Sequence, residues 1–101
     1  MNPLVSVQIC CYNSEPFLRQ TLDSLVAQTY PHWEGVVVDD GSDDGTREIV
    51  RDYARHDSRI RYSYHANQGL ANSRNRAIEL SKGSLIAFLD HDDIWAPDKL
   101  A

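Results

Sequence analysis

The sequence is short of the features that mark several common kinds of protein. No run of apolar residues approaches the roughly 18–20 that cross a bilayer, and the first residues carry no apolar signal-peptide core. Only 2 cysteines occur, Cys10 and Cys11, and sequence neighbours do not build a disulfide framework. They read as inert, half-buried thiols in a reducing compartment. Lys and Arg number 10 against 15 Asp and Glu, a net charge of −5, so no basic stripe exists to neutralise a run of phosphates. Nucleic acid is therefore not an expected partner. Glycine is scarce at 5 residues, and neither Gly-x-Gly-x-x-Gly nor Gly-x-x-x-x-Gly-Lys occurs. A dinucleotide dehydrogenase or a P-loop enzyme is not expected. Internal repeats, low-complexity tracts and interdomain linkers are missing as well.

What remains is a chain of 101 residues, 42% apolar, with mixed charge. That describes one globular domain or a piece of one. A cytoplasmic location is expected, with membrane association left to a longer form. The acid is unevenly placed. Seven carboxylates sit in two short clusters, Asp39-Asp40-Gly41-Ser42-Asp43-Asp44 and Asp90-His91-Asp92-Asp93. A solvated face would spread its charges, so the clustering asks for a specific cause.

Four short apolar runs read as strands: Val5 to Cys10, Glu34 to Val38, Arg59 to Tyr64, and Leu85 to Leu89. The second and fourth are nearly continuous hydrophobics, the pattern of strands buried on both faces of a parallel sheet. The third alternates and reads as an edge strand. Helices are expected between them. The first carries Leu18, Leu22, Leu25 and Val26 at helical spacing, with Ser14 as N-cap and Pro16 in its first turn, and ends near Gln28. Ile49, Val50, Tyr53 and Ala54 mark the second, which starts after the Asp43-Asp44-Gly45 turn. The third runs from about Leu70 to Ser81, followed by Lys82 as a favourable charge and Gly83 as a C′ glycine. Strict alternation predicts an α/β fold: an open, mainly parallel sheet with right-handed crossovers and helices on both faces.

Ligands of such sheets bind at the carboxyl ends of the strands. The residues that follow each strand are Cys11-Tyr12-Asn13, Asp39-Asp40-Gly41-Ser42, His65-Ala66-Asn67-Gln68-Gly69, and Asp90-His91-Asp92-Asp93. Every unusual polar cluster falls at that one edge. Asp90-x-Asp92 offers hard oxygen ligands suited to Mg²⁺ or Mn²⁺. A phosphate oxygen about 4 Å from one of them would meet roughly 4 kcal/mol of repulsion at an effective dielectric of 20. A divalent cation reverses that sign. Carboxylates after the second strand can accept hydrogen bonds from a base or a ribose, Tyr12 can lie on a base face, and Gly41 permits a turn that a side chain resists.

In this order these residues resemble the amino-terminal half of family 2-type nucleotide-sugar glycosyltransferases of the GT-A fold. Val5-Ser6-Val7-Gln8-Ile9 with Tyr12-Asn13 is similar to the family's opening strand and turn. Gln28-Thr29-Tyr30 resembles the exit of its first helix. Val37-Val38-Asp39-Asp40-Gly41-Ser42-Asp43-Asp44-Gly45-Thr46 is close to its most recognisable stretch. Asn67-Gln68-Gly69-Leu70 with Ser73-Arg74-Asn75, and Phe88-Leu89-Asp90-His91-Asp92-Asp93-Ile94-Trp95 with Pro97, complete a match over essentially the whole chain.

The resemblance implies that Tyr12, Asp39 and Asp40 hold the base and ribose of a nucleoside diphosphate sugar, with UDP as the default nucleotide, and that Arg74 lines the same pocket. Asp90 would face the ribose and Asp92 would be the direct ligand of Mn²⁺ or Mg²⁺. The implied reaction is inverting transfer of the sugar to an acceptor whose identity the sequence leaves open. Two departures stand out. Cys10-Cys11 replaces the Pro-Thr-like pair common in the family. The family's acceptor half and its general base belong downstream of Ala101, so no catalytic residue is expected within these residues and the chain alone is expected to be inactive.

Plainer readings exist for each feature. Asp90-x-Asp92 is also a solvated turn or a helix cap, Tyr12 a packing residue, and Arg74 a surface partner of Glu79. Asp43 and Asp44 read as the cap and favourable charge of the second helix. His91 reads as solvent-exposed, and Trp33 and Trp95 as packing at element ends. Two rival functions are a Mg²⁺-dependent phosphoryl or nucleotidyl transferase and a non-catalytic nucleotide-binding module. The first lacks an acid directly after the first strand. The second predicts self-association through an exposed sheet edge.

Overall fold

The computed structural model describes residues 2–101. Its elements follow in the order β1 (Val5–Cys11), α1 (Glu15–Val26), β2 (Trp33–Asp40), α2 (Thr46–His56), β3 (Ile60–His65), α3 (Leu70–Leu80) and β4 (Leu85–Phe88). The four strands pair in parallel throughout, in the order β3-β2-β1-β4. The expected α/β architecture is therefore the one observed, with β3 at an edge.

Strand alternation sorts the core into two layers. On one face Val5, Val7, Ile9 and Cys11 of β1 and Val37 of β2 meet Leu18, Leu22 and Leu25 of α1 and Ile49 and Val50 of α2. The three α1 leucines are fully buried, each stabilising the fold by about 1.5–3 kcal/mol relative to exposure. On the other face Val36 and Val38 pack with Ala77 of α3 and with half-buried Cys10. Both tryptophans are packing residues, Trp33 at 1% exposure and Trp95 at 9%. The guanidinium of Arg59 lies 3.8 Å from the Trp33 ring centroid, closing the bottom of the sheet.

Three local expectations are corrected. β4 is not buried on both faces: it is the outermost strand, and Leu85, Ile86 and Phe88 are 53%, 47% and 58% exposed. A continuous hydrophobic run reports a strand's own composition but not whether neighbours cover it. Gly83 is not a left-handed C′ residue, since among the described residues only Gly41, Gly69 and Asn13 have positive φ. It is a glycine because a β-carbon there would lie 2.5 Å from the Leu4 carbonyl oxygen and 2.7 Å from Ser6 Oγ. Ser14 occupies the N-cap position of α1 but its side chain makes no cap bond. Its hydroxyl is engaged elsewhere, with consequences taken up below.

β2 continues through Asp39 and Asp40, two residues beyond its hydrophobic run. Both acids are thus strand residues, and alternation sends them to opposite faces. Asp39 shares the α1/α2 face with Val37, whereas Asp40 shares the α3 face with Val36 and Val38.

Candidate functional site

A cavity of about 420 Å³ opens at the carboxyl end of the sheet, on the α3 face. Tyr12, Asp40, Arg74, Asp90 and Asp92 all line it. Five of the six residues singled out from sequence are thereby brought together. The sixth, Asp39, does not line it. Its side chain is fully buried on the opposite face, where Oδ2 accepts the Tyr62 hydroxyl at 2.6 Å and Oδ1 accepts the Ser42 amide at 2.9 Å.

Asp40 shapes the upper wall. One carboxylate oxygen accepts the Gln68 amide at 2.8 Å and the other the Gly69 amide at 3.1 Å, while its carbonyl accepts the Asn67 side chain at 3.2 Å. The loop that begins α3 is thus folded onto the end of β2. That places Leu70, Ser73 and Arg74 against the opening. Arg74 does not pair with Glu79, which is met instead by Arg76 at 3.4 Å. Its guanidinium lies 5.8 Å from the Phe88 ring centroid, at the outer limit of a cation–π contact.

The floor was not foreseen. Gln8 and Cys10 of β1 and Phe88 of β4 line it, because all three fall on the α3 face by strand parity. Period-two counting from Val36 and Val38 through the strand register could have found them. Gln8 Nε2 donates to Ser81 Oγ at 3.0 Å, and its buried Oε1 has no partner. Burial pushes the Cys10 thiol up against the pull of the Arg74 charge, and burial raises Cys11 strongly. Both thiols are free and protonated near neutral pH.

Tyr12 stands at the rim with 49% exposure, at the start of a turn in which Asn13 adopts φ 47°. The first and second loops are hydrogen-bonded to each other. The Asn13 amide donates to Ser42 Oγ at 2.8 Å, and the Asp43 amide donates to Asn13 Oδ1 at 3.0 Å. Asp44, read from sequence as the helix cap, accepts the Thr46 amide at 3.0 Å and its hydroxyl at 2.6 Å. Those bonds hold its carboxyl below the usual range against the opposing effect of burial. Asp43 makes no such cap contact through its side chain.

The last loop presents Asp90 and Asp92 to solvent, and neither carboxylate has a hydrogen-bond or ion-pair partner among the described residues. The loop itself is anchored at both ends. The Leu89 amide donates to the Gln8 carbonyl at 3.0 Å, and beyond buried Trp95 the Ala96 carbonyl accepts Gln28 Nε2 at 2.7 Å. His91 is half-buried rather than solvated, with Nδ1 2.5 Å from Ser14 Oγ. Among the described residues no three His, Cys, Asp or Glu side chains converge as a metal cage. Two uncommitted carboxylates fit a hard divalent cation that takes its other oxygens from water and a phosphate-bearing ligand.

The family model described as "Glycosyl transferase family 2" matches residues 6–101. The chain belongs to glycosyl transferase family 2. Among curated relatives of this family, the putative teichuronic acid biosynthesis glycosyltransferase TuaG of Bacillus subtilis is 46% identical over 99 residues, 97% of this chain and 39% of TuaG. Among solved family 2-like structures, the mannosyltransferase PcManGT of Pyrobaculum calidifontis, in complex with GDP-Man and Mn²⁺, superposes with a TM-score of 0.91 at 32% identity. The superposition covers 99% of this chain and 31% of that one. Residues 1–349 of S. aureus TarS, in complex with UDP-GlcNAc, give 0.90 at 36% identity, over 95% of this chain and 28% of that one. The fold is therefore GT-A-like, and this family 2 chain spans well under half the length of these relatives. No helix among the described residues is long and apolar enough to cross a membrane.

Proposed function

We propose that the chain carries the donor side of a glycosyltransferase and binds a nucleoside diphosphate sugar in the cavity at the carboxyl end of the sheet. The observation that carries this reading is the convergence of Tyr12, Asp40, Arg74, Asp90 and Asp92, drawn from four separate segments of the chain, on one opening. The base lies against Tyr12, with Asp40 and Arg74 at the wall beside it. Asp39 enters indirectly, through the Ser42 turn it holds beneath Tyr12 and Asn13. Asp90 faces the ribose, and Asp92 is the direct ligand of Mn²⁺ or Mg²⁺.

When bound, the cation offsets the diphosphate charge and stabilises it as a leaving group. Every other task falls to the protein. Tyr12 and Asp40 orient the nucleotide, and the anchored Asp90–Asp92 loop fixes where the diphosphate ends. Such positioning leaves the anomeric carbon open to an acceptor from the opposite side, as inverting transfer requires. The residues that line the cavity are given the donor alone, and the deprotonation of the acceptor is assigned to none of them. TarS, solved with UDP-GlcNAc, and PcManGT, solved with GDP-Man and Mn²⁺, support a nucleotide-sugar ligand and leave two candidate bases. UDP is the first to test.

The test is a melting experiment with UDP and GDP, each with and without Mn²⁺, on the wild type and on Asp92→Ala. A ligand at 100 times its dissociation constant stabilises the fold by about 2.7 kcal/mol. A Mn²⁺-dependent rise with one nucleotide that disappears in Asp92→Ala is the expected result. A folded chain that shows no rise with either nucleotide overturns the proposal. A non-catalytic binding module would show the same binding, and is told from a transferase only when activity of the longer relatives' kind is sought.

A further inference from the structure

The residue between the two exposed carboxylates is held more firmly than a spacer requires. We infer that His91 is a positioning residue: it ties the Asp90–Asp92 loop to the Tyr12 turn, so that the cation-facing and base-facing sides of the site keep one geometry. The inference rests on the donor-site reading above and adds to it a residue that lines the same cavity and acts there by holding the loop in place.

The tie has two strands. His91 Nδ1 lies 2.5 Å from Ser14 Oγ, and the same oxygen accepts the Tyr12 amide at 3.2 Å. One buried hydroxyl thus joins the middle of the carboxylate loop to the backbone of the rim tyrosine. The His91 carbonyl is also held, accepting Thr21 Oγ1 at 3.0 Å from the second turn of α1. Ser14 and Thr21 are both fully buried. Ser14 is itself braced, its amide donating to Thr46 Oγ1 at 2.9 Å at the start of α2. This is why Ser14 makes no helix-cap bond: its hydroxyl serves the loop opposite.

A ligand that spans from Tyr12 to Asp92 benefits only if those two ends stand at a fixed separation. Slack between them must be frozen out on binding, and the cost falls on ligands that engage both ends. A nucleotide bound without metal engages the base end alone and is indifferent to the tie.

The experiment compares wild type, His91→Ala, His91→Asn and Ser14→Ala by two readouts. The first is the amide resonances of Tyr12 and Asp92 in the ligand-free protein. The second is the affinity for UDP with and without Mn²⁺. Asparagine sets a polar atom near the position of Nδ1 and so keeps the link. In His91→Ala both amides are expected to shift, and UDP affinity in Mn²⁺ to fall about three- to tenfold, the net worth of one hydrogen bond, while metal-free affinity holds. His91→Asn restores both readouts, and Ser14→Ala combined with His91→Ala loses no more Mn²⁺-dependent affinity than either alone.

A Tyr12 amide that ignores His91→Ala overturns the inference, as does a parallel fall of affinity with and without Mn²⁺, which a merely structural histidine would give. The donor-site reading fails differently. Wild type would then bind no UDP under either condition while the Tyr12 amide still responded to His91→Ala, and the tie would stand without it.

Discussion

Gly41 faces Asn67 so closely that a β-carbon on Gly41 would lie 2.6 Å from the Asn67 backbone nitrogen. Gly41 also has φ +80°, in the left-handed region. The turn after β2 and the loop before α3 therefore nest against one another, and the two Asp40 hydrogen bonds to Gln68 and Gly69 fasten them. Gly41→Ala meets both obstacles, a left-handed conformation worth about 1–2 kcal/mol and a clash with backbone that cannot swing aside. A loss of at least about 2 kcal/mol, or a fall in Tm of roughly 8–16 °C, is expected. Gly69→Ala is the control. Its φ is +96° but nothing lies within 4 Å of the added carbon, so only the conformational cost applies. Equal destabilisation of the two variants in urea would refute the steric argument.

At the opposite end of the sheet Glu34 sets a pH dependence. Burial works against its charge, but hydrogen bonds from Ser6, the Lys82 amide and Arg61 outweigh it and hold the carboxyl below the usual range. The distances are 2.6, 2.6 and 2.7 Å. A lowered folded pKa means that the stabilisation is fully present above the unfolded glutamate value near ~4.3 and is lost as pH falls through the folded value. Glu34→Gln is expected to cost about 1.5–3 kcal/mol at pH 7, the range for bonds to a charged acceptor. The gap between variant and wild type should close below about pH 4. A gap that stays constant down to acid pH would show that packing, not charge, is what the substitution removes.

Asp39 is the reason to alter Tyr62. Its carboxylate is fully buried and keeps two partners, the Tyr62 hydroxyl and the Ser42 amide. Burial and the neighbouring Asp39 charge push the Tyr62 hydroxyl well up, so it is a donor at every pH of interest. Tyr62→Phe keeps the ring and removes that donor, leaving one buried oxygen unsatisfied at a cost of about 1–3 kcal/mol. Because Asp39 lies on the face away from the cavity, UDP affinity should change less than stability. A variant of undiminished Tm with weakened UDP binding would reverse that assignment and put Asp39 in contact with the nucleotide.

Much of this was legible in the sequence, for a physical reason. Hydrophobic periodicity reports which side of an element is apolar, so four strands, three helices and their alternation followed, and the strand-end rule gathered the polar clusters at one edge. Periodicity does not report what lies beside an element. The run Leu85 to Leu89 looked like a buried strand and is an exposed edge, and Gly83 looked like a helix terminator and is a close-approach glycine. Asp39 and Asp40 both read as loop carboxylates following the second strand, with one shared role implied by the family resemblance. Extending β2 by two residues separates them to opposite faces. His91 could not have been placed from sequence at all, since its partner Ser14 lies 77 residues away and was expected to cap its own helix.

The exposed edge supports one more expectation, that the protein self-associates. β4 is outermost, its outer side is unpaired among the described residues, and its four residues, Leu-Ile-Ala-Phe, include no charge and no proline. Those are the devices by which edge strands ordinarily resist pairing, so a second copy laying its own β4 alongside would extend the sheet. Association of this kind is apolar and backbone-driven, so it should strengthen with concentration and respond little to salt, unlike contact between charged faces. Ile86→Lys places a charge on the edge without touching the residues that line the cavity. Sedimentation velocity should find wild type shifting to a dimer with rising concentration and the variant remaining monomeric, with UDP binding equal in both. If wild type sediments as a monomer at the highest concentration reached, the edge is protected by something other than its own sequence. If the variant still dimerises, the contact lies elsewhere on the surface.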